Sequence, residues 1–173
     1  NGSLRAHTLA DLNAVLNWIR QQPQLDGGRV ALWGEGYGGS LVLLAMSHFN
    51  SFISCGVVID PVVNWEEHLR MAPAAQKDSL RAEFGDERDE KEREFLDRFS
   101  PLDVAGKNLE SIPSSSSVLL LGSTDRLGKV LREKKKTAWA LRETTAPHTT
   151  RREQRFLAVA HFLQQRLVLS SPR

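Results

Sequence analysis

The stretch RVALWGEGYGGSLVLLAM, residues 29–46, constrains this chain more than any other. Arg29–Trp33 is short, apolar and bounded by glycine, which suits a strand buried within a parallel sheet. Gly34, Gly36, Gly38 and Gly39 then crowd into six residues, and SLVLLAMSHF follows as an apolar run of helix length. A strand, a turn too tight for side chains and a helix, in that order, form the first half of a βαβ unit. The next strand must therefore return parallel to the first.

The flanking sequence extends this pattern. Before the stretch, Leu9, Leu12, Leu16 and Ile19 recur at helical spacing, with Val15 and Trp18 beside them. Thr8 and Asp11 read as a T-x-x-D capping box for that helix, which ends near Pro23. Asp26-Gly27-Gly28 reads as a turn. After the stretch, Ser54–Ile59 reads as a second strand, stopped by Asp60-Pro61. Ala72–Phe99 alternates in charge and is expected to be a solvent-exposed helix. Val118–Gly122 reads as a third buried strand, Lys129–Lys136 as a short basic helix or loop, and Thr137–Arg142 as a fourth strand. Thr150 and Glu153 give another capping box, ahead of a final helix whose inner stripe is Phe156, Val159, Ala160, Leu163 and Leu167. The expected class is α/β, a mostly parallel sheet flanked by helices in a single domain over residues 1–173.

Composition removes several alternatives. The chain has 173 residues, 40% of them hydrophobic and 25% charged, enough for one domain with a real core. No apolar run approaches the ~18 residues a membrane span needs. The N-terminal NGSLRAHTL has no apolar segment of the kind a signal peptide carries and reads like the middle of a domain. Cys55 is the one cysteine, so an internal disulfide is excluded, and its apolar setting FISCGVVI reads as a buried thiol. Residues 126–173 carry 12 Lys/Arg against 3 Asp/Glu, net +9, which leaves −7 for the rest of a chain of net charge +2. No aromatic residue interleaves with Lys134–Lys136, so that basic run is read as a solvated face, with no nucleic-acid partner expected. The histidines at 7, 48, 68, 148 and 161 lack metal-ligand spacing, and no metal or cofactor is expected.

The glycine turn carries two chemical readings. G-x-G-x-x-G is matched by Gly34, Gly36 and Gly39, and Asp60 follows Gly39 by 21 residues, the distance of a ribose-binding acid in a dinucleotide loop. The second reading is a nucleophile elbow, G-x-S-x-G, in which the central residue projects a nucleophile above the sheet. There the next backbone N–H, that of Tyr37, helps hold an oxyanion at the helix N-terminus. The central position is Gly36, which offers no oxygen or sulfur. Ser40 lies a helical turn further on and is expected to point down the helix.

LDGGRVALWGEGYGGSLVLLAM together with CGVVIDPVVNW resembles the catalytic domain of the prolyl oligopeptidase family of serine peptidases, in particular its dipeptidyl peptidase IV-like branch. The shared features are Asp26 and Arg29 before the strand, the elbow, Cys55-Gly56, Pro61-Val62 and Trp65, and the likeness is strongest over residues 8–66. It implies the C-terminal portion of an α/β-hydrolase domain, without the family's β-propeller. It places the catalytic acid at Asp125 in VLLLGSTDRLG, where Leu121 and Gly128 replace the family's histidine and valine, and the catalytic histidine at His148. Substrate contacts would fall on Trp65 and His68, but His68 and Ala72 stand where the branch has tyrosines, so the primary pocket is not expected to form. The 23 residues from Asp125 to His148 look short for the helix and strand the family places there.

The resemblance thus implies an inactive serine-peptidase homologue that acts by binding a peptide or protein, with Gly36 as the vestigial nucleophile position. An active peptidase and a nucleotide-binding module are the alternatives. Inactive members of the branch act as membrane-anchored partners of voltage-gated potassium channels, which makes a membrane-protein partner an expectation, as is a homodimer. The hydrolase domain would then be extracellular; a cytoplasmic protein is the other expectation.

Overall fold

The computed structural model describes residues 4–5, 7–141 and 148–168, with the side chains of residues 148–151 outside the description. Four strands, β1 (Ala31–Glu35), β2 (Cys55–Ile59), β3 (Ser117–Leu121) and β4 (Thr137–Leu141), form one sheet in the order β1-β2-β3-β4. Every pairing among them is parallel, in continuous register from Ala31 opposite Cys55 through Ser117 to Thr137. Parallel neighbours need crossovers. These are α2 (Tyr37–His48), then α3 (Trp65–Met71), α4 (Ala74–Phe84), α5 (Glu90–Arg98) and α6 (Lys107–Glu110), then α7 (Asp125–Glu133). α1 (His7–Gln21) precedes the sheet, and α8 (His148–Leu163) follows it, running into a π-helical turn, Gln164–Val168.

The alternation of strand side chains sorts the core into two layers. Val58, Val118 and Leu120 face one way, against Leu16 of α1, Val42 and Met46 of α2, Leu109 of α6, and Leu127 and Leu131 of α7. Cys55, Val57, Ile59, Leu119 and Leu121 face the other way, against Val159 and Phe162 of α8. Every residue of β2 and β3 is buried, as expected for strands covered on both faces. Burial pushes the Cys55 thiol up to about 11, so it behaves as a small apolar side chain. The D-x-x-R signature is a brace: Asp26 accepts from Arg29, whose other nitrogen donates to the Leu167 carbonyl at 2.8 Å, tying the start of β1 to the π-helical turn.

Several sequence expectations are corrected. β1 starts two residues later than Arg29 and runs on to Glu35, because Gly34 and Glu35 still pair with Val58 and Ile59. α1 begins at His7, so Thr8 lies inside the helix and its hydroxyl is directed to Tyr37, not to a cap. Val15 and Trp18 are more than half exposed, while Leu16 carries the inner face. In α8 the inner stripe is Val159, Phe162 and Leu163, continued by Leu167; Phe156 is 65% exposed and Ala160 also faces out. Thr150 falls within α8 rather than at its cap.

The largest correction concerns Ala72–Phe99. It forms two helices, α4 and α5, and its apolar residues build a third core. Leu96 and Phe99 are buried beside Trp65, Leu69 and Leu44, with Leu80, Phe84 and Phe95 packed against them. Asp89 caps α5 by accepting from Lys91 and Glu92, as an N-cap carboxylate should. Between the helices, Arg81 clamps Glu87 with two parallel hydrogen bonds, at 2.9 and 2.5 Å, and Glu87 is only 9% exposed. The Arg81 guanidinium holds the Glu87 carboxyl below its ordinary value of 4.5.

A carboxylate with a depressed pKa adds stability that is present above its unfolded value and is lost as pH falls through its folded value. Glu87→Gln is therefore expected to lower the thermal midpoint by a few degrees at neutral pH. The gap from wild type should close as pH drops below about 4.5, as read by circular dichroism across a pH series.

Candidate functional site

Ligand sites in open parallel sheets lie beyond the carboxyl ends of the strands. At this edge β1 delivers Gly36, β2 delivers Asp60, β3 leads through Gly122–Thr124 to Asp125, and the chain beyond β4 re-enters described structure at His148, the first residue of α8. The candidate residues thus share one edge, with Gly36 and Asp125 on strands separated by β2, roughly 10 Å at the ~4.8 Å spacing of neighbouring strands.

The turn at Gly36 is an elbow in full geometric detail. Gly36 has φ 56° and ψ −121°, a backbone conformation that side chains other than glycine's disfavour. Its N–H donates to the Ile59 carbonyl at 2.9 Å, which fixes the turn above the end of β2. A Cβ at Gly34 would lie 2.2 Å from the Gly38 carbonyl, so the strand and the first turn of α2 touch backbone to backbone. A Cβ at Gly36 itself would meet nothing within 4 Å: a side chain there would enter open space. Tyr37, first residue of α2, has one of the N–H groups that a helix leaves without an internal acceptor. Ser40 is fully buried and its hydroxyl donates to the Val62 carbonyl at 2.6 Å, so it cannot serve as nucleophile.

Trp65 and His68 lie beside the elbow. Trp65 is 1% exposed, stacked on Phe84 at 4.4 Å and edge-on to Tyr37 at 5.8 Å, and its indole N–H has no acceptor among the described residues. His68 is on the outer side of α3 with its ring edge-on to Trp65 at 5.7 Å. Partial burial disfavours the charged ring and lowers its pKa from the ordinary 6.5. Phe84, from the charged segment, occupies the ring face of Trp65. The sequence offered no signal for that pairing beyond a lone phenylalanine at the end of a charged run.

Asp60 is the residue that sequence reasoning underrated. It precedes Pro61-Val62 and adopts a positive φ of 42°. Its carboxylate accepts from the Ser123 N–H at 2.7 Å and approaches Arg155 of α8 at 3.5 Å. These contacts join β2, the β3–α7 loop and α8, and they take up the acid that a ribose would have required. Asp125 is exposed at the first position of α7. α7 and a complete β4 both fit before His148, so the interval is long enough for a helix and a strand; the His148 side chain lies outside the described residues.

A cavity of about 740 Å³ opens at the opposite end of the sheet, among Arg29, Phe52, Ser54, Ser116 and Arg166. Size favours that cavity, but the backbone geometry of a reactive turn is found only at the carboxyl edge among the described residues, and the latter carries the assignment.

A four-stranded parallel sheet with helices on both faces and an elbow after β1 defines an α/β-hydrolase fold. The chain belongs to the prolyl oligopeptidase family, whose sequence pattern it matches over residues 1–167. It is similar to the inactive dipeptidyl peptidase 10 of Rattus norvegicus, 31% identical over 52 residues, which are 30% of this chain and 6% of that protein. It is also similar to prolyl endopeptidase FAP of Mus musculus, 38% identical over 55 residues, 32% of this chain and 7% of that protein. Among solved structures, the post-proline cleaving enzyme from Rickettsia typhi superposes with a TM-score of 0.81 at 16% identity, covering 99% of this chain and 26% of that one. Dipeptidyl peptidase 4 of Porphyromonas gingivalis gives 0.72 at 18% identity, over 92% of this chain and 22% of that one. The chain thus spans about a quarter of these solved relatives and far less of the curated ones.

Gly34 and Gly38 allow a sharp contrast. Gly34→Ala places a methyl against a carbonyl with no room to yield, and is expected to cost at least ~3 kcal/mol in urea unfolding. Gly38→Ala, which meets nothing within 4 Å, should be neutral or stabilising because alanine favours the helix.

Proposed function

We propose that this chain is a catalytically inactive member of its family that works by binding a peptide or protein. The observation that carries the reading is Gly36. The elbow keeps its positive φ, its bond to Ile59 and open space for a side chain, yet supplies no nucleophile. Acyl transfer through this turn needs an oxygen or sulfur at that position, and Ser40 is engaged in the core. Asp125 and His148 then have no hydroxyl to activate. A site of this shape retains the helix N-terminus and the Tyr37 N–H as donors to a peptide carbonyl, which is a binding function without turnover. The inactive relative with which the chain shares 31% identity over 52 residues supports the same reading. A membrane-protein partner such as a potassium channel is the particular case that the family likeness suggests.

The test is covalent labelling. Wild-type protein is expected to resist a fluorophosphonate probe and to leave dipeptidyl chromogenic substrates intact; labelling or turnover would sink the proposal. Gly36→Ser is expected to fold, since its Cβ has space, at a cost of roughly 1–2 kcal/mol for a non-glycine residue at φ 56°. Labelling of that variant would show that Asp125 and His148 still cooperate.

A further inference from the structure

Arg5 occupies a complete guanidinium site next to the elbow. Its Cζ lies 4.2 Å from the centroid of the Phe84 ring and 4.9 Å from that of Tyr37, so the cation sits in the corner between two aromatic rings. Nε donates to the Glu83 carbonyl at 3.1 Å, and Nη2 pairs with the Glu83 carboxylate. That carbonyl belongs to the last turn of α4, an 11-residue helix, where unpaired carbonyls attract positive charge. The Arg5 side chain is 19% exposed. Two ring faces, a carboxylate and a helix-end carbonyl match the planar, forked donor set of arginine and not the point charge of lysine.

Two features separate this site from ordinary packing. Arg5 reaches it from a 3-10 helical turn that includes residues 4–5, 78 residues away in sequence from Glu83. The site is also built on Tyr37, whose backbone N–H is the expected donor to a bound carbonyl, so a peptide lying across the elbow would place a side chain at these rings. We propose that this is a recognition site for an arginine side chain, filled in this structure by Arg5 and available to an arginine of a bound peptide once Arg5 withdraws. The peptide occupant rests on the binding role argued above; the guanidinium site rests on the contacts of Arg5 alone.

Tyr37 is the only tyrosine in the sequence, so 3-fluorotyrosine places a single ¹⁹F resonance in the site. The experiment titrates N-acetyl-arginine methylamide into Arg5→Ala and wild-type protein, with the citrulline and lysine analogues as controls. At several times its Kd the arginine probe should raise the thermal midpoint of Arg5→Ala by about 3 °C and shift its ¹⁹F line toward the wild-type position. Wild type should not respond, nor Arg5→Ala to citrulline. No response of Arg5→Ala, or equal responses of variant and wild type, would overturn the proposal. Should Arg5→Ala fail to fold, Arg5→Ser, which also uncovers the rings, reads the same contrast, with the same outcomes for and against. Hydrolysis by wild type would remove the binding role and leave this titration intact; a failed titration would remove the site and leave the binding role standing.

Discussion

The backbone contact between Gly34 and Gly38 underlies the carboxyl edge of this molecule. Only because Gly34 has no side chain can the backbone of Gly38, in the first turn of α2, rise directly off the end of β1. That approach swings Gly36 over β2, where its N–H meets the Ile59 carbonyl. It also directs the Tyr37 ring sideways, into the cluster of Trp65, Phe84 and Phe99. The elbow and the third core are therefore one mechanical unit. A chain that lost its nucleophile could keep this turn because the turn also holds α3, α4 and α5 in place.

The charged segment illustrates how a polar composition can hide a structural role. Its acidic and basic residues pair among themselves, with Arg81 and Glu87 partly withdrawn from water. Its few apolar residues point inward together, and Phe84 stacks on Trp65. The space beside the elbow is thus shaped by the chain's own aromatics and by Arg5, not left as an open apolar slot.

Sequence alone gave access to the strand order, the elbow and the buried character of Cys55, because continuous apolar runs and crowded glycines have few structural solutions. It also pointed to Asp125 at the mouth of β3. Boundaries slipped where the next residue's pairing decides them, as at Gly34 and Glu35. The stripe of α8 slipped because periodicity identifies a helix but not the neighbour that it faces, so Phe156 was placed inside and Phe162 was left out. The contacts of Arg5 with Glu83, and of Asp60 with Ser123, join residues too far apart in sequence for any local pattern to announce them.

Asp60 and Gly122 impose a rule on how this protein can change. A Cβ at Gly122, where φ is +78°, would lie 2.2 Å from the Asp60 carboxylate. The two positions are chemically interlocked: while the acid is present, residue 122 admits glycine alone. A relative with a small residue at position 60 is released from that steric exclusion, though the positive φ at 122 continues to favour glycine.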